Sequence, residues 1–169
     1  MTVGELITRV GTLLEDDMDL ATAVGYFNSA QTVLGESVIF PTRTAISYSG
    51  SGFPLPTNFL GSLKFITPSD SVYDIWDGEI HLEDTTIVEI TIAYNRRLSV
   101  ISPSSSFVPE LDPMFHEYYA LWAAMQAMHP EEEPERYMQY EKDYLRFRKA
   151  IASYYGGLRV RPSQWGVIR

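Results

Sequence analysis

Along this chain the spacing of apolar residues changes twice, from a repeat near 3.6 to a repeat of 2 and back again. That order of helical, strand-like and helical stretches points to an α+β fold with β structure inserted between helices. The first stretch opens with Thr2-x-x-Glu5, a capping box in which both side chains satisfy free backbone N–H groups. Apolar Val3, Leu6, Ile7, Val10, Leu13 and Leu14 follow, and the spacing predicts a helix over about 2–15. Glu15-Asp16-Asp17 breaks the pattern. Asp19 then caps a second helix over about 19–34, with Leu20, Val24, Phe27 and Leu34 on one face. Gly25 costs that helix ~1 kcal/mol, so tertiary packing must support it. Two helices joined by so short a turn are expected to lie antiparallel as a hairpin.

A β insertion is expected over about 36–95. Val38-Ile39-Phe40 and residues 44–48 read as short strands, followed by the flexible Ser49-Gly50-Ser51-Gly52, a bend at Leu55-Pro56 and a strand over 59–66. Val72-Tyr73-Asp74-Ile75-Trp76 and Glu79-Ile80-His81-Leu82-Glu83 flank Asp77-Gly78. Asp-Gly between alternating strands is a strong hairpin signal, because both turn positions need positive φ. Residues 86–94 are β-branched and alternating, which adds a further strand. The expected product is one small antiparallel sheet with one wet face. Residues 95–111, built around Ser102-Pro103-Ser104-Ser105-Ser106, form a loop long enough to suggest function or mobility.

Asp112-Pro113 places an N-cap and a first-turn proline at the start of a third helix over 113–128. Its apolar face carries Met114, Phe115, Tyr118, Leu121, Trp122, Met125 and Met128, and His129-Pro130 ends it. Pro134 opens a fourth helix over 134–155, with Tyr137, Tyr144, Leu145, Ile151 and Tyr154 expected inward. The two helix pairs would give a loose symmetry about the sheet. Acids at the start of the last helix and bases further along suit the helix dipole. Gly156-Gly157 stops it. Residues 1–157 are therefore expected to form a single α+β domain, and 158–169 an irregular C-terminal arm.

Charge is segregated along the chain. Residues 1–143 hold 7 Lys/Arg and all 22 Asp/Glu, whereas 144–169 hold 6 Lys/Arg and no acid. An acidic body argues against tight nucleic-acid binding, which needs clustered cations. The basic arm suits either nucleic acid or an acidic protein surface, and the interleaving of Leu158, Val160, Trp165, Val167 and Ile168 with Arg159, Arg161 and Arg169 favours the protein surface. Ordering twelve residues costs more backbone entropy than burying five apolar side chains returns, so the arm is expected to order on a partner. No stretch approaches eighteen apolar residues, and no membrane partner is expected. The start Met1-Thr2-Val3-Gly4-Glu5 lacks the pattern of a signal peptide. With no cysteine there are no disulfides or thiolate metal sites.

The residues offer little chemistry. His81, His116 and His129 lack metal-ligand spacing and read as structural. Glu15, Asp16, Asp17 and Asp19 lack the glycine and distal glutamate of a calcium loop and read as a solvated turn. Neither Gly50-Ser51-Gly52 nor Gly156-Gly157 has the context of a phosphate loop, and no Gly-x-Ser-x-Gly elbow occurs. No catalytic set, cofactor or metal is expected, and the chain reads as a non-enzyme. Beyond the arm, the candidate contacts are Arg96 and Arg97 at a strand end, and Glu131, Glu132 and Glu133 at a helix start. Both sets would serve intersubunit pairing.

Several local patterns fall in a familiar order. Phe27-Asn28-Ser29-Ala30-Gln31 lies in the second helix, Leu55-Pro56-Thr57-Asn58-Phe59-Leu60 at the bend, and Trp76-Asp77-Gly78 at the hairpin. Thr91-Ile92-Ala93-Tyr94 closes the strands, Tyr118-Tyr119-Ala120-Leu121-Trp122-Ala123-Ala124 opens the second helix pair, and Pro134-Glu135-Arg136-Tyr137 starts the last helix. In this order the chain resembles the adaptor, or head-to-tail connector, proteins of tailed phages over nearly its whole length. The resemblance implies a virion protein, made in the host cytoplasm, that forms a twelve-subunit ring beneath the portal. Such a ring extends the DNA channel without sequence-specific binding, receives a tail or nozzle protein and grips the portal through its C-terminal segment, here 158–169. Other readings are a head-completion or tail-terminator ring of different symmetry, and a cytoplasmic protein-binding module.

Overall fold

The computed structural model describes residues 1–69 and 71–155. The protein is α+β, and it divides into two compact units: Met1–Ile39 with Leu98–Arg169, and Phe40–Arg97.

The first unit contains α1 (Val3–Leu14), α2 (Leu20–Ser37), α3 (Glu117–Ala127) and α4 (Pro134–Tyr155), with a 3-10 turn, Pro113–Phe115, before α3. The capping box forms as the sequence predicts: the Thr2 hydroxyl accepts from the Glu5 N–H, and the Glu5 carboxylate from the Thr2 N–H. Asp19 caps α2 through the Thr22 N–H at 3.0 Å. Glu15 ends α1 in the left-handed region at φ 60°, which turns the chain.

The expected hairpin of α1 and α2 does not dominate. Each packs mainly on α3, as α4 does, and α1 and α2 touch one another sparingly. The reason lies in α3, which is buried on most of its circumference: Tyr118, Tyr119, Ala120, Leu121, Ala123, Ala124 and Met125. Its small alanines admit close neighbours while its tyrosines fill the gaps between them. The predicted apolar stripe missed this, because a helix buried all round has no single face. Four inward assignments also change. Leu20 is exposed in the first turn of α2, Met114 is 59% exposed in the 3-10 turn ahead of α3, and Leu145 is 43% exposed. On α4 the buried residues are Tyr144, Ile151 and Ala152, and Tyr144 and Ile151 lie about 100–120° around the helix from Leu145. Tyr154 is exposed but rests its ring edge-on against Phe115 at 5.3 Å.

The 95–111 segment, read from sequence as a loop of function or mobility, is strapped to the helices. Val3 N–H donates to the Phe107 carbonyl at 2.8 Å and Gly4 N–H to Ser105 at 2.9 Å. A Cβ at Gly4 would lie 3.1 Å from the Ser105 oxygen, so glycine permits the approach. Asn28 clamps Ile101 from both sides, its Oδ1 accepting from the Ile101 N–H and its Nδ2 donating to the carbonyl. Gln31 Nε2 donates to Ser99 at 2.6 Å while its Oε1 accepts from the Tyr119 hydroxyl. Buried backbone groups of the strap thus find partners.

Among the described residues the second unit holds six strands: β1 (Pro41–Ser47), β2 (Phe53–Pro54), β3 (Phe59–Thr67), β4 (Tyr73–Trp76), β5 (Glu79–Leu82) and β6 (Glu89–Arg96). They form two three-stranded antiparallel sheets, β1-β6-β3 and β2-β5-β4, where one sheet was expected. Ile46, Ile90, Ile92 and Tyr94 from one sheet and Phe53 and Ile80 from the other share a core. Dividing the strands lets both sheets bury one face in that core and keep the other wet. Val38–Phe40 does not form a strand of its own, since α2 runs three residues further than predicted and Val38 is its C-cap. Thr86 precedes β6 and belongs to a turn in which Asp84 accepts from its N–H and hydroxyl. The Asp77-Gly78 turn forms with φ 51° and 76°.

Candidate functional site

The arm residues Leu158, Arg159, Val160, Arg161, Trp165, Val167, Ile168 and Arg169 lie outside the described residues. Arg96 closes β6 opposite Phe59, and its N–H donates to the Phe40 carbonyl. Arg97 follows with its N–H on the Asn58 carbonyl and its side chain exposed. Asn58 also accepts the Tyr94 hydroxyl at 2.8 Å, which fixes the strand end that presents the two arginines.

Glu131 and Glu132 are exposed. Glu133 is engaged within its own chain: its Oε2 accepts from Arg136 Nη1 at 2.8 Å. Arg136 also donates to the Leu13 carbonyl and approaches Glu15 at 3.4 Å, tying the start of α4 to the end of α1. Tyr140 adds its hydroxyl to the Leu13 carbonyl at 2.9 Å. Hydrogen bonds with Tyr140 and Glu133 hold the Arg136 guanidinium above its already high ordinary pKa.

Two arrangements escaped sequence reasoning. Arg9 on α1 and Glu117 on α3 form a forked ion pair at 2.7–3.1 Å, and the hydrogen bonds that Arg9 donates to the Glu117 carboxylate raise the arginine pKa. They line a 340 Å³ groove with Tyr140, Asp143, Arg146 and Phe147. The other arrangement is on the wet face of β2-β5-β4. There Trp76 stacks on His81 at 3.6 Å with the rings 6° apart. Glu79 accepts from the Ser49 and Ser51 hydroxyls and stands 4.0 Å from His81 Nε2. Among the described residues, that buried nitrogen and the Trp122 Nε1–H have no hydrogen-bond partner. The alternation of β4 and β5 around Asp77-Gly78 was the available signal, since it places Asp74, Trp76, Glu79 and His81 on one face.

His116 is fully buried at the head of α3. Its Nε2 donates to the Leu111 carbonyl, and its Nδ1 lies 2.9 Å from both the amino group and the carbonyl oxygen of Met1. Burial holds its pKa below the ordinary histidine value. Burial likewise raises the Tyr118 and Tyr119 phenols, so both stay neutral donors.

Among the described residues no group of three or more His, Asp or Glu side chains could hold a metal ion. No helix there is long and apolar enough to cross a membrane. No protein-family model matches the chain, and no curated protein matches its sequence.

Proposed function

We propose that this chain is a non-enzymatic structural protein of a tailed-phage virion, a subunit of the adaptor ring that joins portal to tail. The observation that carries the reading is the order of elements. A helical unit is interrupted between its second and third helices by a β unit, the order in which the adaptor-like patterns run. Charge gives separate support. Twelve copies at −9 each would make an acidic ring, and a lumen lined by such charge would keep DNA from adhering as it passes. In this reading 158–169 dock on the portal, while Arg96, Arg97, Glu131 and Glu132 serve contacts between neighbouring subunits.

Native mass spectrometry with a portal ring tests this. Twelve copies of the full chain should bind, and none of a chain ending at Gly157. Twelve copies with either form would keep the adaptor reading and remove the arm from it. No binding by the full chain would overturn the reading in favour of another ring position or a cytoplasmic binding module.

A further inference from the structure

The wet face and outer edge of β2-β5-β4 are unused by the portal reading. β4 is an edge strand of its sheet, and its side chains alternate cleanly. Asp74 and Trp76 point to the wet face, and Ile75 points to the other, opposite Ile80. Trp76 is 56% exposed and Ile75 45% exposed, both large for a strand in a folded unit. Stacking on His81 fixes the indole and leaves its outer ring face open, a preorganised platform for a cation. Edge strands are normally blunted against pairing, and charge is one of the devices that does so. Around β4 the charge has one sign. Between residues 65 and 95 there are seven carboxylates, Asp74, Asp77 and Glu79 among them, and no lysine or arginine.

The complement is written in the same chain. Residues 158–161 read Leu-Arg-Val-Arg, a four-residue alternation of aliphatic and guanidinium groups, within a 26-residue segment, 144–169, that carries no acid. We propose that residues 158–161 of one copy add as an extended strand along β4 of a second copy. In that register Arg159 and Arg161 lie over Asp74 and Trp76, where a guanidinium can pair with the carboxylate and stack on the indole. Leu158 and Val160 fall on the opposite face beside Ile75. Main-chain pairing gives such additions affinity, and the alternating side chains give them register. The contact is heterologous, so it builds closed rings or open chains rather than twofold dimers. It does not rest on the portal reading, but it takes 158–161 out of the portal contact and leaves Trp165, Val167, Ile168 and Arg169 to that partner.

Charge reversal on the full chain tests it. Sedimentation velocity should show concentration-dependent self-association of the wild type. Asp74→Arg alone, and Arg159→Asp with Arg161→Asp in a second chain, should each weaken that association at least about tenfold by juxtaposing like charges. An equimolar mixture of the two variants should recover it, because each arm then meets an edge of opposite sign. Native mass spectra of the mixture should show the two chains in equal numbers. Near-ultraviolet circular dichroism establishes that both variants are folded. Any of three results overturns the proposal: a monomeric wild type at every concentration, variants that associate as the wild type does, or folded variants that fail to recover on mixing. Asp74→Arg leaves 158–169 intact. Loss of portal binding by the truncation but not by Asp74→Arg therefore separates failure of one idea from failure of the other.

Discussion

The two units solve the same problem of burying apolar surface with different means. The helical unit wraps three helices around α3 and locks the packing with polar ties that span long stretches of sequence. Examples are Tyr118 hydroxyl to Ala30 carbonyl, Asn28 to Ile101 and Arg9 to Glu117. The β unit instead divides a few aliphatic and aromatic side chains between two small sheets and leaves Val72, Ile75, Trp76 and Val88 exposed. Long-range ties make the first unit specific in its packing. The second is held chiefly by its shared core and a tight turn.

Perturbing each unit and reading it locally would sharpen or break this comparison. Trp122 reports on the helical unit and Trp76 on the β unit, in a background where Trp165 is replaced by phenylalanine. The largest loss is expected from Phe27→Ala, about 3–5 kcal/mol, because the ring is fully buried and packs edge-on against Tyr119. Denaturant titration followed by Trp122 fluorescence measures it. Ile80→Ala in the shared core of the sheets should cost roughly 2–4 kcal/mol and appear in the Trp76 signal. If Ile80→Ala moves both reporters to one new midpoint, the units unfold as a single cooperative body. Gly78→Ala should follow at about 1–2 kcal/mol, since alanine must then adopt φ 76° in the turn. Glu117→Gln should cost about 1 kcal/mol, because the forked pair is well aligned but Arg9 is half exposed; a change below ~0.3 kcal/mol would remove that pair from the account.

The gentlest effect is in pH. His116 has a lowered pKa in the fold, so the unfolded chain takes up its proton first as acid is added. Its contribution is therefore complete above about pH 6.5 and declines as pH falls toward the depressed folded value. Urea midpoints at pH 7.5 and 5.5 should differ in that direction, and His116→Gln should flatten the difference. An unchanged slope in the variant would assign the pH dependence to other groups.

What the sequence by itself determined was local. The capping box at Thr2, the Asp19 cap, the Pro134 start and the Asp77-Gly78 turn all act within a few residues, through hydrogen bonds and φ preferences that neighbours alone can satisfy. The switch of period likewise located the β insertion. Tertiary structure decided what each element packs against. That α1 and α2 would settle on α3 depended on alanines and tyrosines whose partners lie about ninety residues away, and the split into two sheets on a shared core of Ile46, Phe53, Ile80 and Ile92. The capture of Glu133 by Arg136, and the Trp76 platform on His81, are also products of assembly. Periodicity states which side of an element is apolar, but the identity of the surface that covers it depends on shape and on pairing between distant residues, which no local pattern encodes.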